Sequence, residues 1–176
     1  MRSTVLAICL AMMLALNTSS EDKQFKFGEF FDGLHVTGKP IDIDPATFRL
    51  TVTGKVDNPL SLSFDDVKAL PTVSKKITLE CPGAFTDTGN WTGVPVRELL
   101  RLAGIRKDAK TVIFSTPDDS YQTRFTVDIA SDENMLISYQ FNGKEFHRVH
   151  GFPLRLVAGG HEGSDWVKWL GKIIVE

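Results

Sequence analysis

Apolar and polar residues alternate one for one along much of this chain. Phe48, Leu50 and Val52 alternate with Arg49, Thr51 and Thr53 ahead of Gly54, and Ile77 and Leu79 alternate with Thr78 and Glu80 ahead of Cys81-Pro82-Gly83. A period of two marks a half-buried strand, because successive side chains point to opposite faces of a sheet. Asp57-Asn58-Pro59 makes a turn, after which Leu60 and Leu62 continue the first sheet. Further strands are expected over Thr111 to Ser115, Tyr121 to Val127, Met135 to Phe141, Leu154 to Val157, Trp166 to Leu170 and Ile173 to Val175. Pro117 to Ser120 turns one pair, and Asn142-Gly143, a strong hairpin signal, returns another through Lys144 to Phe146.

The period changes in two places. Ser63 with Asp66 three residues on opens a short helix that stops at Leu70-Pro71. Pro95 opens another, with Val96, Leu99, Leu100 and Ala103 on one apolar face and Gly104 as its stop. The stretch from Pro82 to Pro95 reads as a loop. Asp22 to Gly38 mixes charges with Phe25, Phe27, Phe30 and Phe31, as in an ordered arm or a short amphipathic segment. The pattern predicts an α+β fold, β-rich, mostly antiparallel with a few short helices.

Length and composition bound this picture. With 176 residues, 42% of them hydrophobic, the chain suffices for one domain with a real core. Met1 to Ser20 holds one basic residue, Arg2, then an apolar run from Val5 to Leu16 and small polar residues. This reads as a secretory leader, too short for the ~20 residues of a bilayer span, so the protein is expected to be exported, periplasmic or secreted. A lipoprotein reading at Cys9 is disfavoured by the Ile8 before it. The expected organisation is a leader over 1–20, an arm over 21–46 and one domain over 47–176.

Loss of the leader would leave Cys81 as the single cysteine of an exported chain, without an intrachain disulfide partner. Such a thiol can be buried and inert, pair with another chain, bind a metal or act as a nucleophile; spacing alone favours the inert reading. The formal net charge of −2, with no basic tract, argues against nucleic acid as a partner. No Gly-x-Ser-x-Gly elbow supports a serine hydrolase. His147 and His150 precede Gly151 and Pro153, so no helix forces them onto one face as a metal pair. The loop Ala158 to Gly163 is glycine-rich, with Arg155 and Lys168 nearby, and is a candidate anion cradle, although such loops are more often plain turns. Taken singly, Arg155 also suits a solvated strand position, Lys168 an exposed edge, and Trp91, Trp166 and Trp169 a core.

Taken together, the runs LECPG and WTGVPVRELL, then HGFPLRL and DWVKWLGKIIV, in order and with Asp119-Ser120-Tyr121 between them, resemble the molybdopterin-binding domain of the sulfite oxidase family. The resemblance runs from about Thr47 to Val175. It implies a molybdenum–molybdopterin cofactor, with the Cys81 thiolate as a ligand to the metal and as the catalytic centre. It also implies that His150 and Arg155 hold the phosphate region of the pterin and that Lys168 binds its phosphate. Trp166 and Val167 would supply adjoining contacts, and Asp119 an acidic contact to the pterin. The implied activity is two-electron or oxygen-atom transfer on a small-molecule substrate.

The departures from the family narrow that expectation. Sulfite-oxidising members carry arginines just after the cysteine, where this chain has Pro82-Gly83-Ala84-Phe85-Thr86, so sulfite is not the expected substrate. The family's Arg-Asn stretch has no evident counterpart between Leu34 and Pro40, where only His35 and Lys39 offer polar substitutes. The haem and dimerisation domains of larger relatives also find no counterpart, which implies a separate electron-transfer protein. The alternative expectation is an exported, non-enzymatic protein that binds a pterin and reports it to a membrane sensor.

Overall fold

The computed structural model describes residues 24–176; the expected leader lies outside them. The arm is ordered: β1 (Phe30–Phe31) and β2 (Leu34–His35) form a small hairpin, with Leu34 and Val36 buried. β3 (Leu50–Gly54) and β4 (Leu60–Leu62) follow, then α1 (Phe64–Ala69). Ser63 and Asp66 make the expected capping box, each side chain bonding the other's backbone N–H. β5 (Val73–Cys81) and β6 (Phe85–Pro95) lead into α2 (Val96–Ala103), which ends at Gly104. β7 (Thr111–Ser115), β8 (Gln122–Thr126), the single turn α3 (Val127–Ala130) and β9 (Met135–Phe141) come next. β10 (Lys144–Glu145), β11 (Arg155–Ala158) and β12 (Lys172–Val175) complete the chain.

The longer strands form two five-stranded sheets. One runs β10-β9-β6-β5, with β11 also paired to β9; the other runs β4-β3-β12-β7-β8, and in it only β12 and β3 are parallel. α2 contacts β3 of the second sheet and β6 and β9 of the first, so it spans the seam between them. Its buried face, Val96, Leu99, Leu100 and Ala103, is the one its spacing marks out. Burial of each leucine stabilises the packing by roughly 1.5–3 kcal/mol. Asn142 and Gly143, at φ 49° and 80°, make the tight turn between β9 and β10 that their residue types favour. Among the described residues no helix is long and apolar enough to cross a membrane.

Two segments depart from the pattern. Phe85 to Pro95 is not a loop but an eleven-residue strand, paired with β5 on one side and β9 on the other. Its inward positions include Asp87, Gly89 and Trp91, and Phe141 packs so close to Gly89 that a Cβ there would lie 2.3 Å from the ring. A glycine and a carboxylate on the buried face hid the period of two. Trp166 to Leu170, conversely, is not a strand. It follows β11 irregularly, held by Leu156 N–H to the Val167 carbonyl and Leu170 N–H to the Leu154 carbonyl, both 2.8 Å. Trp169 there takes φ 54°. That irregularity turns Lys168 inward.

Candidate functional site

β5 delivers Cys81 to the end of the first sheet, opposite Phe85, and the Ala84 N–H closes a turn on its carbonyl at 2.9 Å. A short 3-10 turn, Gly163–Asp165, packs on this strand end, aligned by a bridge between Glu80 and Glu162. Gly163 is required there, since a Cβ would stand 2.3 Å from Cys81 Sγ. The thiol is free and partly buried. Burial pushes its pKa up, the Asp87 charge adds to that, and Arg155 and Lys168 oppose it. Alone, Cys81 is therefore a thiol rather than a thiolate, and a metal ion would bind it by displacing the proton.

Arg155 opens β11 and is 5% exposed. Its guanidinium lies 4.9 Å from the centre of the Trp91 ring and 5.8 Å from those of Phe146 and Trp166. It donates to the His150 carbonyl at 3.2 Å, while its Nε is buried without a partner. Lys168 donates to the Val149 carbonyl at 3.0 Å and to the Thr37 carbonyl, with its ammonium over Trp169. Burial lowers the Arg155 pKa to about 10, against the opposing Asp87 charge, and burial first with the Arg155 charge next lowers that of Lys168 to about 7. Among the described residues, neither cation has a carboxylate within ion-pairing distance. His150 donates from Nε2 to the Phe31 carbonyl at 2.8 Å, which leaves Nδ1 as a buried acceptor without a donor. Burial lowers its pKa to about 4.

Cys81, Trp166 and Lys168 line one cavity of about 550 Å³, together with Thr37, Ser120, Tyr121 and Ser164. Tyr121 donates to the Ser164 carbonyl and so ties the β7–β8 turn to the 3-10 turn beside the thiol. A narrow cleft continues from Cys81 and Lys168 to Arg155, His35, Phe85 and Asp87. His150 and Val167 stand in the supporting layer, one through the carbonyl that Arg155 bonds and the other through the carbonyl that β11 bonds.

Two expectations change. The Asp119 carboxylate is engaged by Lys172 at 2.6 Å and Ser115 at 3.0 Å, and the next two residues, Ser120 and Tyr121, face the cavity instead. The glycine-rich loop is not one cradle: Gly159 and Gly160 line a separate hollow of about 380 Å³ with Lys76 and Asn134, and only Gly163 meets the thiol. The pairing of His35 with Asp87 had no signal in the sequence, because one sits in the arm and the other in the stretch read as a loop.

The arrangement can hold an anion-bearing group that also makes hydrogen bonds. Two desolvated cations supply charge, His150 Nδ1 accepts, and a soft sulfur stands at one end. Among the described residues no group of three or more His, Cys, Asp or Glu side chains is placed to hold a metal. A metal beside Cys81 would therefore take its other ligands from the bound group.

The sequence model of the family described as "Oxidoreductase molybdopterin binding domain" matches residues 36–176. The NADH nitrate reductase of Ulva prolifera is 34% identical over 160 residues, covering 72% of this chain and 18% of that protein. The mitochondrial sulfite oxidase of Rattus norvegicus is 31% identical over 164 residues, covering 77% of this chain and 30% of that protein. The crystal structure of the sulfane dehydrogenase SoxCD from Paracoccus pantotrophus matches with a TM-score of 0.73 at 26% identity, over 77% of this chain and 40% of that one. This chain thus spans less than a third of the length of these two curated relatives.

Proposed function

We propose, given that this chain belongs to the oxidoreductase molybdopterin-binding domain family, that it is an exported oxidoreductase carrying molybdenum–molybdopterin with Cys81 as the protein's ligand to the metal. One observation carries the reading. Arg155 and Lys168 are buried around the cavity that Cys81 enters, and among the described residues neither has a carboxylate within ion-pairing distance; the Asp87 carboxylate that shares their cleft is held by His35. Burying a cation unpaired costs several kcal/mol, a cost that an anionic cofactor would offset. The leader-like Met1 to Ser20 supports export.

The residues divide the work by chemistry. Lys168 and Arg155 would bind the phosphate end, Arg155 with the N–H it has free. His150, kept neutral by burial, would accept from a donor of the pterin. Trp166 and Tyr121 wall the cavity and limit water. The bound cofactor would supply two-electron or oxygen-atom-transfer chemistry, and the protein its orientation and electrostatics. Electrons would be exchanged with a separate carrier, and the substrate is a small molecule.

The test is elemental analysis for molybdenum on protein from its exported fraction, with fluorescence of the pterin released on denaturation. Near-equal amounts of metal, pterin and protein are expected. Cys81→Ser should abolish activity and leave the fold nearly intact, the side chains being similar in size. A Cys81→Ser protein that still turned over substrate would remove Cys81 from the mechanism. Pterin without molybdenum would indicate a non-enzymatic pterin-binding protein instead.

A further inference from the structure

The narrow cleft beside Cys81 contains a pair to which the function proposed above gives no role. Asp87, on the buried face of β6 with its side chain 1% exposed, accepts twice from His35: from the backbone N–H at 2.8 Å and from Nδ1 at 2.6 Å. The His35 ring also stacks on Phe85, with centroids 4.3 Å apart and planes 15° apart, and meets the Phe30 ring edge-on at 5.1 Å. A residue of the arm is thus fixed in place and orientation by two residues of a central strand. An ionised carboxylate only accepts, so Nδ1 carries the hydrogen between them. Nε2 is left without a hydrogen bond among the described residues, in a cleft whose wall includes Cys81.

We propose that His35, oriented by Asp87, is the proton-transfer residue of the Cys81 site. This rests on the function proposed above. Asp87 fixes the ring's orientation and tautomer through Nδ1, which leaves Nε2 as the atom through which a proton can pass. In the step assigned to it, the Nε2–H bond breaks, an O–H bond forms on the reacting oxygen, and Asp87 stays ionised; the reverse step returns the proton. Of the other polar groups nearby, Lys168 and Arg155 are assigned above to the phosphate end of the cofactor, and Tyr121 is tied to Ser164. His35 alone among them presents a free, exchangeable ring nitrogen.

The experiment compares wild type, His35→Gln, His35→Ala and Asp87→Asn, each assayed first for molybdenum and pterin. Turnover is then read with trimethylamine N-oxide as the oxide probe and reduced benzyl viologen as the electron donor. We expect His35→Gln to lower kcat by about 10²–10⁴-fold with little change in KM. Added imidazole should restore part of the loss in His35→Ala, which a purely structural histidine would not allow. A fully loaded His35→Gln protein with wild-type kcat overturns the proposal. Nitrogen-15 NMR of cofactor-free wild type gives an independent answer even where a variant fails to fold. The neutral ring should carry its proton on Nδ1, and a ring protonated on Nε2 overturns the proposal. A wild-type chain isolated with neither metal nor pterin would fail the function proposed above, while the ring assignment on that same protein still upholds or overturns the geometry of the pair.

Discussion

The cations on the rim of this domain and those in its interior live under opposite arrangements. On the rim, Lys75 meets Glu133 at 2.8 Å, Arg106 meets Asp57 at 3.0 Å and Lys172 meets Asp119 at 2.6 Å. Inside, Arg155 and Lys168 meet only carbonyls and ring faces. Direct ion pairing of these cations is thus present where solvent and salt make it least valuable and missing where desolvation makes it most so. A sequence selected only for a stable fold has no reason for that distribution. A sequence whose interior receives an anion does, because the ligand completes the ion pairs on arrival. The same logic explains why His35 and Asp87, which already form a complete pair, are better suited to moving a proton than to holding a phosphate.

The largest effect should come from replacing Arg155 and Lys168 together with methionine, which keeps much of the volume and removes both charges. Cofactor-free protein is expected to gain about 1–4 kcal/mol against urea. The same variant should be isolated with almost no molybdenum or pterin. A double variant that is destabilised and still holds its cofactor would mean that the cation–ring contacts, not a ligand, keep these residues, and the contrast between rim and interior would collapse.

A smaller effect follows from pH. Lys168 has a folded pKa of about 7 against its ordinary 10.5, with burial the main cause. Between those values the unfolded chain holds a proton that the folded chain does not, so stability rises with pH by up to about 1.4 kcal/mol per unit. Below pH 7 both states are protonated and the full penalty remains. Cys81 and Tyr121, whose pKa values are raised, act in the opposite direction at high pH. The clean quantity is therefore the difference between wild type and Lys168→Met. In urea titrations of cofactor-free protein that difference should shrink from pH 7 to pH 10. With cofactor bound, the ammonium is favoured and the slope should flatten; a difference independent of pH would show that Lys168 is not desolvated.

Much of this was legible before folding, and the reasons are local. The strand ending at Cys81, the capping box of Ser63 and Asp66, the face of α2 and the Asn142-Gly143 turn each depend on residues a few positions apart. Arg155 and Lys168 were candidates for an anion cradle beside the glycine-rich loop, but only the family pattern favoured that reading, since a lone arginine in a strand also suits a solvated edge. What stayed hidden depends on distance along the chain. His35 and Asp87 are 52 residues apart, and Tyr121 and Ser164 are 43 apart. Neither pair leaves a trace in the local period of its own segment. β6 was hidden for a different reason: its inward positions include a carboxylate and two glycines beside Trp91, Gly89 because the ring of Phe141 fills the space a side chain would need and Gly93 because the backbone of Ile137 and Ser138 does.

The smallest expected effect tests where the rim ends. Asp119 sits at φ 58° in the β7–β8 turn, and its carboxylate, whose pKa is lowered by Lys172 first and Ser115 next, is not among the groups lining the cavity beside Ser120 and Tyr121. Lys172→Ala removes the ammonium and leaves the Ser115 hydroxyl as the remaining side-chain donor to Asp119. If the Lys172–Asp119 pair belongs to the rim, the urea midpoint should not shift resolvably and molybdenum and pterin content should match wild type. The Ser115 bond and the turn's own Thr116–Tyr121 backbone bond of 3.0 Å would hold the loop in place. Cofactor loss in Lys172→Ala, with the midpoint unchanged, would place Asp119 among the residues that shape the pterin end of the cavity. The residues that shape the pterin end would then include Asp119 beside Arg155 and Lys168, and the boundary between the two kinds of charge would run through this turn.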